Sequence, residues 1–338
     1  MKGKTLVLRI LLIAFAVLLA ATLFIGLQGL RGIQKKGEVI LLRVEKGFTA
    51  DDVASLLMEN GLIRNRWLFR ALLQLGGADR KLKAGTYSVE TGTSMLDIIG
   101  MLSKGRTLQI QVTIPEGLTA RSIGIILEKA GICSQSSFLV AAADQDLAKK
   151  AGLPGKNFEG FLFPDTYSFP ADAPADTVVL AMARNFSEKL EKIAPGAMID
   201  TVKLREKVIL ASIVEREYGV PQEAGLIASV FQNRLAIGMA LQSCATVVYI
   251  ITEKQGKPHP SVVYYADLAV QDPYNSYIHR GLPPGPISNP GETALNAVFN
   301  SPESDYLYFR LIDSSSRQHR FSKTFEEHAG ETIPVKGF

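Results

Sequence analysis

Eighteen consecutive residues without a charge, from Ile10 to Leu27, constrain this chain more than any other feature of it. Rich in Leu, Ile, Ala, Val and Phe, the run makes a helix roughly 27 Å long, close to the ~30 Å hydrocarbon thickness of a bilayer. Lys2, Lys4 and Arg9 precede it; Arg31, Lys35 and Lys36 follow. The first group, with the free amino terminus, favours a cytoplasmic amino end, although the flanking charges nearly balance. A cleaved signal peptide is the competing reading. Signal cores are shorter, ~7–15 residues, and end at a small-x-small site. Here Ala20 and Ala21 are followed by more apolar residues. Residues 1–37 therefore read as a retained single-pass anchor in the cytoplasmic membrane. No second span of that length occurs, so the remainder is expected on one side.

Beyond the anchor a weak internal repeat sets the local structure. Gly47-Phe48-Thr49-Ala50 is followed by Val53, Leu56, Leu57 and Gly61, and Gly117-Leu118-Thr119-Ala120 by Ile123, Ile126, Leu127 and Gly131. A partial copy, Gly92-Thr93-Ser94, leads to Ile98, Met101, Leu102 and Gly105. Each time Thr or Ser is placed to cap a helix, apolar residues recur at helical spacing, and glycine ends it. Strand-like runs occur at 39–42, 83–89 and 108–112. The expected class is α+β: a small module over 38–106, a linking α+β unit and hinge over 107–178, and a mixed domain over 179–338. Trp67 and Phe69 lie in a helical stretch and read as core rather than as a sugar platform. The stretch from Tyr167 to Thr177, rich in Pro, Ala and Asp, reads as a loop or hinge.

The 37 basic and 33 acidic residues leave a net charge of +4, too small an excess to argue for nucleic acid. The four histidines have no helical ligand spacing, and Cys133 and Cys244 form no zinc-type pair. No phosphate loop or dinucleotide fingerprint occurs. We expect neither metal nor cofactor.

The densest chemistry falls between Val208 and His328. Ile209, Leu210, Ile213 and Val214 form an apolar stripe that Glu217 continues, while Glu215 falls on the neighbouring face. A glutamate at the edge of an apolar stripe is partly desolvated, holds its proton longer, and can donate it to a glycosidic oxygen. The plain alternative is a helix emerging into water with both glutamates exposed. Ile227 to Leu235 gives a second amphipathic helix carrying Asn233 and Arg234. Residues 273–291, PYNSYIHRGLPPGPISNPG, combine two tyrosines, five prolines and three glycines. They suit either the wall of a sugar-stacking groove or a proline-held surface loop.

Taken together, these segments resemble the YceG-like endolytic murein transglycosylases, the MltG family. The matching pieces are KAGTY at 83–87, IPEGLT at 114–119, EGFLFPDTY at 159–167, LASIVERE at 210–217, IASVFQNRL at 227–235, PYNSY at 273–277, GLPPGPISNPG at 281–291, YLYF at 306–309 and HRFS at 319–322. The resemblance implies a membrane anchor, a LysM-like module at 38–106 and an extracytoplasmic catalytic domain. It implies a lytic transglycosylase that cleaves between N-acetylmuramic acid and N-acetylglucosamine within glycan strands, leaving 1,6-anhydro ends. Peptidoglycan strands are the implied substrate, and cell-wall synthases the implied partners. The family's single catalytic glutamate carries over to Glu217, with Glu215 as the fallback. Glu159, Asp165, Gln242, Tyr249, Asn275, Tyr277 and Ser322 are candidates for binding sugar or orienting the acid. One departure is LQSCATV at 241–247, where the family usually reads LQSDPTV. A hydrolytic muramidase and a non-catalytic peptidoglycan-binding scaffold are the alternatives.

Overall fold

A computed structural model describes residues 37–79, 81–312 and 315–330. The apolar run of residues 10–27 lies outside them. Among the described residues no helix is long and apolar enough to cross a membrane. The fold is mixed α+β, with three two-stranded sheets among the described residues. It divides into two compact units. One extends through Ile110 and takes in Pro170–Ala173; the other holds Gln111–Phe169 and everything from Pro174 onward.

In the first unit β1 (Val39–Val44) pairs antiparallel with β2 (Gly85–Glu90), from Val39 opposite Glu90 to Val44 opposite Gly85. Strand alternation turns Leu42 and Val44 inward from β1, and Tyr87 and Val89 from β2. They pack on α1 (Ala50–Glu59), α2 (Arg66–Leu75) and α3 (Met95–Lys104), which contribute Val53, Leu57, Phe69, Leu73, Ile98 and Leu102. Thr49 and Ser94 cap α1 and α3 as their spacing predicts, each accepting the amide three residues on. Gly105 closes α3 with φ +69°, a conformation that costs other residues strain. Trp67 departs from expectation. Phe69 is fully buried but Trp67 is 65% exposed, with the Arg66 guanidinium over its ring. Placed at the first turn of α2, two residues from Phe69, it falls on a different helix face.

β3 (Gln109–Thr113) pairs with β4 (Thr166–Pro170), and most residues of both strands fall in the second unit. So the stretch read as loop from Tyr167 begins as a strand. Its Thr-Tyr-Ser-Phe alternation, with Phe169 buried and Thr166 and Ser168 exposed, prevails over the flanking Pro and Asp. Next come α4 (Ala120–Lys129), capped by Thr119, then α5 (Gln135–Ala143), α6 (Gln145–Lys150) and the long α7 (Ala175–Ile193). At the centre α8 (Thr201–Val214) packs against α9 (Ala224–Ala236) and α11 (Glu292–Phe299). Between these two lies α10 (Cys244–Tyr249). An antiparallel pair, β5 (Tyr308–Leu311) and β6 (His319–Ser322), and the short α12 (Phe325–Ala329) complete the unit.

Candidate active site

Every residue of α8 from Val208 to Val214 is buried, so this end of the helix has no wet face and no single stripe. The helix also stops earlier than the stripe implies. Glu215 to Glu217 wind into a tighter turn, in which the amides of Arg216 and Glu217 donate to the carbonyls of Ile213 and Val214, each at 3.0 Å. Glu217 thus reaches its position through a 3₁₀-like terminal turn rather than along a helical face. It is half-buried, not in bulk water.

The Ser243 hydroxyl donates to Glu217 Oε1, and the Ala245 amide also donates to this carboxylate. Burial pushes the Glu217 carboxyl above the ordinary carboxylate range. Ser243, Ala245, His319 and Arg216 all work against that rise by favouring the charged form. Ser243 is itself pinned: its amide donates to Ser276 Oγ at 3.0 Å, and Ser276 Oγ lies 2.9 Å from Thr246 Oγ1. The preceding Gln242 turns the chain with φ +53°, and its amide donates to the Ser276 carbonyl at 3.0 Å. Arg234 fastens the same loop from α9. Its Nε donates to Leu307 O at 2.6 Å and its Nη1 to Leu241 O at 2.8 Å. On the other side of Ser243, Cys244 Sγ lies 3.0 Å from the Tyr277 hydroxyl.

Two further carboxyls are also raised by burial. Glu215, pushed up to about 7, accepts the Gly291 amide at 2.9 Å and the Tyr218 hydroxyl at 3.2 Å. Glu159, pushed up to about 8, accepts the Ala120 amide on both oxygens at 3.1 Å and the Asn289 side chain at 2.8 Å. It holds the start of α4.

The structure brings Glu217, Gln242 and Tyr277 together around Ser243. The other candidates have different neighbours. Tyr249 packs on Tyr274, ring centroids 5.0 Å apart, and its hydroxyl is raised by burial and by Glu159. Asp165, held below the ordinary range chiefly by Asn185, joins the start of β4 to α7. Asn275 is fully buried and donates to the carbonyls of Leu268 and Val270, both at 2.9 Å. Ser322 is buried in β6, three residues from His319 and on the opposite strand face. The segment from Pro286 to Gly291 is also buried. It is bolted to α8 where Ser212 Oγ accepts the Ile287 amide at 3.0 Å, so this part is not an exposed sugar wall.

Sequence reasoning missed Ser243 and His319 as members of the site. His319 opens the HRFS motif and Ser243 sits in LQSCATV, so their signal was local motif density without a stated partner.

A profile of the YceG-like family matches residues 42–332. A Bacillus subtilis protein named endolytic murein transglycosylase is 30% identical over 303 residues, covering 85% of this chain and 82% of its own. A Streptococcus pneumoniae protein of the same name is 27% identical over 320 residues; the match covers 86% of this chain and 57% of that longer protein. The 2.6 Å crystal structure of a protein described as yceG-like, from Listeria monocytogenes, matches with a TM-score of 0.58 at 29% identity. That match covers 87% of this chain and 99% of the Listeria chain. This chain belongs to the YceG-like family.

Proposed function

We propose that the chain is a lytic transglycosylase that cuts peptidoglycan within its glycan strands, between N-acetylmuramic acid and N-acetylglucosamine, with Glu217 as its one acid/base group. The name of its relatives supports the substrate class and the reaction. The observation that carries Glu217 is a half-buried carboxyl, free of any salt bridge to a lysine or arginine among the described residues, held by Ser243 and the Ala245 amide.

Burial keeps the proton on Glu217, and Glu217 gives it to the bridging oxygen as the bond from C1 of the muramic sugar breaks. The C6 hydroxyl of the same sugar forms the new bond to C1. Its proton passes to the Glu217 carboxylate, which Ser243 and Ala245 stabilise while it is charged. One proton leaves and one returns, no water enters, and the new end is a 1,6-anhydro sugar.

A hydrolase would need a second carboxylate to attack or to hold water, ~5–5.5 Å or ~6.5–9.5 Å from the first. Both oxygens of the adjacent Glu215 are occupied by Gly291 and Tyr218, which favours the mechanism with one glutamate. A scaffold without catalysis would be indifferent to Glu217. Replacing Glu217 with Gln should lower release of anhydro fragments by about 10²–10⁴-fold while leaving melting and glycan binding unchanged. Release at the unmodified rate by the purified Gln variant would refute the assignment.

Around this core we read the Ile10–Leu27 run as a single membrane anchor with the catalytic residues on its extracytoplasmic side, where peptidoglycan lies. The strand–helix–helix–strand order from β1 to β2 supports a LysM-like module over 38–106 that holds glycan. Residues 107–178 link it to a catalytic domain over 179–338. Synthases that extend nascent strands are the expected partners of an enzyme that ends them.

A further inference from the structure

Between Lys254 and α11 the chain runs from Gln255 to Gly291 with one regular piece, the short 3₁₀ turn Asp267–Ala269. A loop of that length inside a compact unit is uncommon and usually functional. Its second half is in good part turned inward: Asn275, Ser276 and the segment from Pro286 to Gly291 are buried. The exposed rings lie in the first half instead. Tyr264 is 67% exposed and Tyr265 92%, with Val262 close by in the chain at 55%. Tyr249 and Tyr274, by contrast, close on each other and offer less ring to the outside.

The backbone beneath the two exposed rings is fixed, and it is tied to the active site. The Tyr264 amide donates to Asp267 Oδ2 at 2.8 Å, and the Asp267 amide returns a bond to the Tyr264 carbonyl at 2.9 Å. The Leu268 amide donates to the Tyr265 carbonyl at 3.2 Å. The 3₁₀ turn packs on α10, and Asn275 holds it there by donating to the carbonyls of Leu268 and Val270. The next residue, Ser276, accepts the Ser243 amide, and Ser243 donates to Glu217. Observed contacts thus run without a gap from the tyrosine turn to the proposed acid. The exposed loop residues around the rings, Lys257, His259, Ser261 and Gln271, are polar, so the rings do not belong to a broad apolar face of the kind that docks a protein. Two aromatic faces in a polar setting suit an amphipathic ligand. A pyranose ring has C–H groups on its faces, which an aromatic face attracts, and hydroxyls at its edge, which stay wet. Tyrosine adds little entropy cost, having two side-chain torsions to fix.

We propose that Tyr264 and Tyr265 form a stacking site for the glycan strand, away from the bond that is cut, which holds the strand while the acid acts. The inference rests on the chain being an enzyme that cuts peptidoglycan glycan, and not on which glutamate supplies the proton. The sugar is gripped by ring faces; the tyrosine hydroxyls are dispensable.

The test measures kcat and KM on soluble peptidoglycan strands stripped of their peptides, so that only sugar is read. It uses the full chain and its Tyr264→Ala, Tyr265→Ala, double Ala and double Phe variants. Exposed positions tolerate such changes without loss of fold, and a melting curve of each variant checks this. One aromatic stacking contact corresponds to about two- to ten-fold in affinity. We expect KM to rise by that factor in each single Ala variant and by about ten-fold or more in the double, with kcat changed less than about two-fold. The double Phe variant keeps both ring faces and should return KM to within about two-fold of the parent value. Dissociation constants of the same strands, measured with each change added to Glu217→Gln so that the strand stays whole, should follow the same order. A double Ala variant with the parent KM overturns the proposal, and so does a double Phe variant as weak as the double Ala. Failure of the underlying reading looks different. A full chain that neither cuts nor binds these strands removes the glycan-cutting function itself, whereas a chain that cuts them with KM unmoved in the double Ala variant removes only the stacking site.

Discussion

Burial and hydrogen bonding pull Glu217 in opposite directions, as the acid/base role proposed for it requires. A raised pKa alone does not single it out. Glu215, at about 7, and Glu159, at about 8, are raised as well, and each, like Glu217, accepts a backbone amide and a side-chain donor. Ser243 is the largest of the influences that favour ionised Glu217, and burial still outweighs them. A hydrogen bond to a charged group contributes ~1.5–3 kcal/mol, and one pKa unit corresponds to ~1.4 kcal/mol. Ser243→Ala should therefore move the falling limb of kcat/KM up by about one pH unit; a limb moving down, or not at all, would contradict the role given to Ser243. At this scale the sequence proposed Glu217 by its place after an apolar run, and the observed turn shows that it reaches its position through a 3₁₀-like turn and not along a helical stripe. Ser243 was illegible because it meets Glu217 through a tertiary contact between distant segments, which periodicity does not encode.

Elements lock together through Asn289. Its Oδ1 accepts the amides of Gly160 and Leu162 at 2.8 and 2.9 Å, and its Nδ2 donates to Leu118 O at 3.0 Å and Glu159 Oε1 at 2.8 Å. Its own carbonyl accepts the Gly117 amide at 3.0 Å. One side chain thus joins the start of α4, the 159–162 turn and the approach to α11. Asn289→Ala would strand two buried amides, at ~1–3 kcal/mol each, so we expect a loss of about 3 kcal/mol or more in a denaturant titration. A loss below about 0.5 kcal/mol, as for an ordinary surface change, would show that the node is not structural. Elements were otherwise the most legible level. Thr49, Ser94 and Thr119 cap α1, α3 and α4 where the repeat places them. Those signals are local, each closing within three residues. Strand β4 was hidden because its four alternating residues lie beside proline and aspartate, and its partner β3 is remote in sequence.

For the whole molecule, the proposal is an enzyme held at a membrane surface by its apolar amino-terminal run. Full-length chain should sediment with membranes and resist extraction by high salt, which screens charge but not apolar insertion. A chain beginning at residue 37 should appear in the soluble fraction. Release of the full chain by salt alone would contradict the anchor. This level was legible in outline only: a charge-free run reveals itself by composition, whereas the path by which Pro170–Ala173 returns to the first unit is a matter of packing.

Digestion of purified peptidoglycan in water enriched in heavy oxygen, followed by mass analysis of the new chain ends, tests the reaction most directly. If Glu217 works alone through the C6 hydroxyl, the ends are anhydro sugars, one water lighter than reducing ends and free of label. Label at the new ends, or anhydro ends formed undiminished by the Glu217→Gln variant, would contradict it.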